Sequence, residues 1–367
     1  MEQRINPIAR VFAIIFVILF VITGIIAILV FNSFNMAFNP SVYKNALSDS
    51  GIHENLPKLI GEQIVYQVDH NPCIQDATAC AEDQKNSIPG YFKSINAAEW
   101  KAVLSKLIDP VWFQAQVESA IDQVFSFLKS PGQPLSLNIS LVEFKARLGG
   151  EDGYQAMMLL IHSLEPCTAK DLLKLPMSLF SSSDFGAAEL CLPSESILKL
   201  GDEAIRTLLK DLAATLPDNT STLFQGVSSG LSANLATSLR TLQMIRLTAM
   251  ISPIIPLFLL LIVTLLVVRN LRGFLTWWGI PLTIIGVLVF VCALFITPAI
   301  RAFLLIRFNA QGLVPSLMEL IKTIVLNIAR SFEYALLVQA GILCVAGIVM
   351  IIAAATLKSK SPSTPGG

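Results

Sequence analysis

Cysteine is the residue here whose number and spacing best suit covalent chemistry, and the six cysteines fall into two sets. Cys73, Cys80, Cys167 and Cys191 stand in a long polar stretch, whereas Cys292 and Cys344 lie inside apolar runs. An even number of thiols in an exposed region suits disulfides formed in an oxidising compartment. Of the three connectivities that four cysteines allow, nearest-neighbour pairing is preferred: Cys73 with Cys80 and Cys167 with Cys191. His70, three residues before Cys73, raises a zinc alternative. Cys-x6-Cys is not a zinc-knuckle spacing, however, and no metal or cofactor is expected.

Other chemistry is thinly represented. The sequence contains no G-x-x-x-x-G-K-[ST], no G-x-G-x-x-G placed between a strand and a helix and no H-E-x-x-H. His53, His70 and His162 are the three histidines, and no two stand at ligand spacing. Glu82-Asp83, Glu151-Asp152 and Asp202-Glu203 pair carboxylates at helix starts or in loops, where the helix dipole already favours acids. Asn138-Ile139-Ser140 and Asn219-Thr220-Ser221 match the glycosylation acceptor pattern. Trp100, Trp112 and Phe113 read as core of the polar stretch. No catalytic residue is assigned.

The elements that position these residues are dominated by lipid-like runs. Hydrophobic residues make up 54% of the chain and charged ones 14%, with a mean hydropathy of +0.66. Val11 to Val30 carries no charge for about 20 residues, enough at about 1.5 Å each to cross a hydrocarbon core of roughly 30 Å. Four transmembrane helices are expected, over 11–31, 247–268, 280–300 and 335–356, the first an uncleaved anchor. Residues 1–10 form a cytoplasmic N-terminus, 269–279 a cytoplasmic turn, and 357–367 a disordered cytoplasmic tail. Residues 301–334 form a second extracytoplasmic segment with an amphipathic helix that continues the fourth span outward.

Between the first two spans lies an extracytoplasmic helical domain, 32–246. It holds 16 Lys and Arg against 23 Asp and Glu, a surplus of seven acids that disfavours nucleic acid as a partner. Arg4, Arg10, Arg269, Arg272, Lys358 and Lys360 share one side of a four-span threading, a modest bias toward cytoplasmic termini. Within the domain, Asn39-Pro40 starts a helix and Gly51 parts two short helices. Asn96 with Glu99, and Ser140 with Glu143, read as capping boxes. PLSLNIS reads as a strand-like piece without an obvious partner. Ile197, Ala204, Ile205, Leu208 and Leu212 make an apolar stripe on a later helix.

The fold class is therefore a mainly α membrane protein, with a disulfide-stapled helical domain between its first and second spans. The order of one span, a large loop, then three spans with a small second loop resembles the layout of claudin-type proteins and of FtsX/MacB-type permease subunits. That resemblance covers no motif and carries over no residue. The expected role is a non-enzymatic cell-envelope protein acting by binding, adhesion or assembly through its ectodomain. Its expected partners are the bilayer and a protein or a second copy. A transport or channel component is the alternative.

Overall fold

The computed structural model describes residues 7–70, 95–129, 137–167, 191–220, 244–245, 248–268, 270–307 and 312–357. In chain order its helices are α1 (Pro7–Ala37), α2 (Pro40–Asp49), α3 (Ile52–Asp69), α4 (Ala97–Leu107), α5 (Pro110–Lys129), α6 (Val142–Leu148), α7 (Glu151–His162), α8 (Glu195–Thr215), α9 (Ile254–Val267), α10 (Leu271–Arg307) and α11 (Pro315–Thr356). The chain divides into a membrane-type bundle (Met1–Tyr43, Leu235–Phe308, Val325–Gly367) and a helical unit (Lys44–Asn234, Asn309–Ile324).

Four helical stretches are long and apolar enough to cross a bilayer: Val11–Ala37, Thr248–Leu266, Leu271–Ile306 and Pro315–Thr356. This marks an integral membrane protein. On α1, Ile14, Ile18, Ile22 and Ile26 recur every fourth residue and all point outward, half exposed. A stripe of that kind would be costly in water and costs nothing in hydrocarbon. The opposite side of α1 packs inward, where Phe20 joins Leu260, Ile285, Val289, Ala293, Leu336 and Ala340 in the bundle core.

Small residues set how closely α10 and α11 meet. A methyl group placed on Gly286 would stand 2.8 Å from the Cys344 backbone nitrogen and 3.0 Å from the Ala340 carbonyl oxygen. One on Gly347 would stand 2.8 Å from the Gly279 carbonyl oxygen. These are backbone atoms, which cannot swing aside as a side chain can. In lipid there is little hydrophobic drive between helices, so close backbone approach supplies the van der Waals contact instead. The spans contain no strict G-x-x-x-G, and the same device is assembled here from glycines spaced on two different helices.

Two boundaries differ from the sequence reading, while the bend that the prolines of the second span lead one to expect is present as an interruption. The first span does not stop near residue 31 but runs to Ala37, which takes Asn32 into the helix as a buried residue. Residues 271–279, expected as a turn, are the first turns of α10. Nothing there breaks a helix: Gly273 and Gly279 each cost only about 1 kcal/mol relative to alanine. The Trp278 indole N–H donates to the Thr264 hydroxyl at 2.8 Å, tying the end of α9 to the start of α10. The second span is interrupted at Ser252-Pro253, before α9 begins. Proline has no N–H to continue the ladder, which is why the break falls there. The fourth span and the amphipathic segment before it form one helix, α11.

In the helical unit, Gly51 takes the left-handed conformation (φ 65°) between α2 and α3. Helices α3 and α4 cross at Gly61, where a methyl group would lie 2.8 Å from the Trp100 Cβ and 3.0 Å from the Ala97 carbonyl. Ile95, Trp100 and Leu164 form the small core beside that crossing. The Asn96 side chain accepts from the Ala98 and Glu99 N–H groups, and Glu99 accepts from the Asn96 N–H, a complete capping box. Ser140 makes no such cap for α6; its backbone is engaged in an extended pairing instead.

That pairing gives the strand-like piece its partner. Ser140 bridges Asn219 antiparallel, with Leu141 N–H donating to Asp218 O at 2.8 Å and Thr220 N–H to Ile139 O at 3.1 Å. On its other edge stand two glutamines of α5, seven residues apart and so nearly in line on the helix. Gln123 accepts from Asn138 N–H at 2.6 Å and donates to Asn138 O at 2.9 Å; Gln116 accepts from Ser140 N–H at 2.9 Å. The side-chain amide of Gln123 thus does what a peptide group of a neighbouring strand would do.

Candidate functional site

Cys167 and Cys191 are joined by a disulfide, Cα to Cα 4.9 Å. A short parallel bridge, Pro166 with Leu192, lies beside them, with Cys167 N–H donating to Leu192 O at 3.0 Å. Cys73 and Cys80, and the Glu82-Asp83 pair, lie outside the described residues. Cys292 and Cys344 are free thiols.

The histidines are dispersed, and two of them are engaged within their own helices. His70 Nδ1 lies 2.9 Å from Tyr66 O and its ring stacks on Tyr66 at 4.0 Å, while His162 Nδ1 lies 2.6 Å from Met158 O. Among the described residues, no three His, Cys, Asp or Glu side chains gather closely enough to hold a metal ion. Asn138 is exposed and Asn219 half-buried, the two acceptor asparagines lying on neighbouring stretches of the same extended pairing.

The carboxylates sort into clamps. Asp109 caps α5 with one oxygen, accepting from Val111 N–H at 2.9 Å and Trp112 N–H at 3.0 Å. Its other oxygen accepts from Arg147 at 3.0 Å. The same guanidinium reaches Asp152 at 3.3 Å and Glu143 at 3.6 Å, so one arginine links α6, α7 and the start of α5. Arg206 of α8 pairs with Glu151 at 2.7 Å and lies over the Tyr154 ring, 3.7 Å from its centroid. The Arg206 hydrogen bond holds the Glu151 carboxyl below the usual carboxylate range, and the same contact raises Arg206. A hydrogen bond with Asp202 raises the Tyr154 phenol. All these groups lie at the surface, each carboxylate with a cation beside it; they fasten α8 to α7.

Fastening α8 leaves one of its faces bare. Leu209 and Ala213 are buried, and Gly149 approaches Ala213 closely. On the other side Ile197, Leu200, Ala204, Leu208 and Leu212 follow each other at steps of three and four residues, and all are exposed, Leu200 by 86%. The apolar stripe read from the sequence is therefore mostly the uncovered side of the helix. It runs about 22 Å along the axis. The residues that fix α8 in place, Leu209 and Arg206, were not part of that stripe; Leu209 follows Leu208 directly, and periodicity alone cannot say which of two adjacent leucines turns inward.

In the bundle the polar groups pair across spans. Asn32 Nδ2 donates to Gln339 Oε1 at 2.7 Å and Gln339 Nε2 donates back to Asn32 Oδ1 at 3.1 Å. The second Asn32 amide hydrogen goes to Ile28 O at 2.8 Å. Thr297 donates to Glu333 between α10 and α11. Asn32 was hidden by the early end assigned to the first span. Beside Gln339 lies an apolar cleft of about 360 Å³, bordered by residues of all four spans. Comparison with protein-family models, with curated proteins and with solved structures finds no match.

Proposed function

We propose that this protein is a non-enzymatic membrane-embedded binding or assembly module, which presents its helical unit outside the cell membrane to a protein partner. The supporting observation is the bare apolar face of α8, Ile197, Leu200, Ala204, Leu208 and Leu212, on a helix whose other side is held by packing and by Arg206. Exposed apolar stripes of this length are recognised by a complementary apolar helix face. Fully covering one leucine is worth about 2 kcal/mol, so a few such residues suffice for a specific contact.

The extracytoplasmic placement, with both termini cytoplasmic, is part of this reading. It is supported by the Cys167–Cys191 link, which persists in oxidising compartments, and by the basic residues at Arg269, Arg272, Lys358 and Lys360. The test is site-specific photocrosslinking in intact membranes. A crosslinker at Leu200 or Leu208 gives a discrete adduct, to a partner or to a second copy, and one at Lys210 or Asp218 gives none. Leu208→Lys abolishes the adduct formed from position 200 while leaving the fold intact. Equal adducts from all four positions, or none, would refute the assignment.

A further inference from the structure

The cleft in the bundle has dimensions and a lining that specify its contents. Along α1 it is bounded by Phe20 at one end and Phe31 at the other, with Gly24 and Ala27 between them. These residues share one helix face, and Phe20 to Phe31 spans about 16 Å of helix. That is about half of a 30 Å hydrocarbon core, the depth of one leaflet. Across the cleft, Pro253, Pro256 and Leu257 of the second span form the facing wall. The one polar group on the lining is the Gln339 amide, already paired with Asn32.

We propose that this cleft holds one hydrocarbon chain of a bilayer lipid as a bound component of the bundle. An empty space of this size would deprive every lining side chain of contacts on one side. Water has no partners there apart from one occupied amide, and the surrounding solvent of the spans is hydrocarbon. The pair at Asn32 and Gln339 lies at the Phe31 end, one residue along α1.

The test is native mass spectrometry of the full chain taken from membranes in polymer-bounded discs, with a delipidating detergent step before ionisation. The wild-type chain retains an intact lipid in about one-to-one ratio. Ala27→Phe pushes a ring into the cleft from its wall and loses the lipid, while Ile22→Phe, an outward change on the same helix, keeps it. A second measurement covers the case in which Ala27→Phe fails to fold: a phospholipid with a diazirine-bearing chain is crosslinked to the wild-type protein. Its adducts concentrate on Phe31, Leu257 and Leu343. Retention equal in the Ala27→Phe and wild-type chains, no retained lipid, or adducts spread evenly over Ile14, Ile18 and Ile22 would overturn the proposal.

Discussion

In the bundle, α10 and α11 approach through Gly279, Gly286 and Gly347, and the contacts are backbone against backbone. In the helical unit a glycine crossing also occurs, at Gly61 between α3 and α4, but long polar side chains are added to it. Arg147 reaches three carboxylates, and Gln116 and Gln123 complete the hydrogen bonds of an extended segment. The contrast follows from the two solvents. Lipid offers helices no hydrophobic reason to associate, so shape decides, and a single methyl group matters. Water competes for every surface charge, so the polar contacts of the unit are of small individual worth and supplement apolar clusters such as that of Ile95, Trp100 and Leu164.

The largest effect that this contrast predicts belongs to the bundle. Gly286→Val places carbon against the Cys344 and Ala340 backbone, and overpacking of this kind costs about 3 kcal/mol or more. The expected result is a bundle that no longer survives detergent extraction or unfolds at much lower denaturant, whereas Gly201→Val, at a glycine with open space around it, leaves the bundle unchanged. Equal tolerance at the two glycines would remove the backbone-contact account. Next is the covalent link in the helical unit. Cys167 and Cys191 close a loop of 24 residues, and releasing it by reduction or by Cys191→Ser costs about 3 kcal/mol on the chain-entropy estimate. Thermal unfolding of the helical unit shifts down accordingly while the bundle stays put.

Gln123→Leu sharpens the comparison at a smaller scale. It leaves the Asn138 N–H and C=O without their partner, a loss of about 1–2 kcal/mol. Hydrogen exchange at Asn138 accelerates, and exchange in α10 does not. The smallest effect is electrostatic. Because the Glu151 carboxyl is held down by Arg206, its contribution is complete above the ordinary carboxylate pKa and is lost as pH falls through the depressed folded value. Acid titration of the helical unit loses this component in Glu151→Gln, while stability at neutral pH drops only slightly, as expected of an exposed pair.

Much of this architecture can be read from residue order. The apolar runs announce four spans because about 20 uncharged residues have no other common use. Asn96 and Glu99 announce a cap because their spacing serves the first turn of a helix and little else. What residue order hides is long-range. Leu137 to Ser140 looks orphaned because its partners, Asp218 to Thr220 and two glutamines of α5, are supplied by distant segments. Asn32 looks like the first residue beyond a span until Gln339, some three hundred positions later, gives it a reason to be buried. The Leu208 stripe was visible, but its exposure was not, since a helix with an apolar stripe has the same sequence whether or not that stripe is covered. The cleft escapes a sequence reading for the same reason: Gly24 and Ala27 are unremarkable in an apolar run until Phe20, Phe31, Pro253 and Pro256 border one space.

Labelling with a membrane-impermeant maleimide in intact cells, with sites assigned by peptide mass, tests the threading on which the proposed role stands. The account predicts that Ser126→Cys, in α5 of the helical unit, reacts from outside, and that Asn270→Cys, between α9 and α10, reacts only after the cells are permeabilised. Labelling of position 270 in sealed cells, with position 126 protected until permeabilisation, would contradict it.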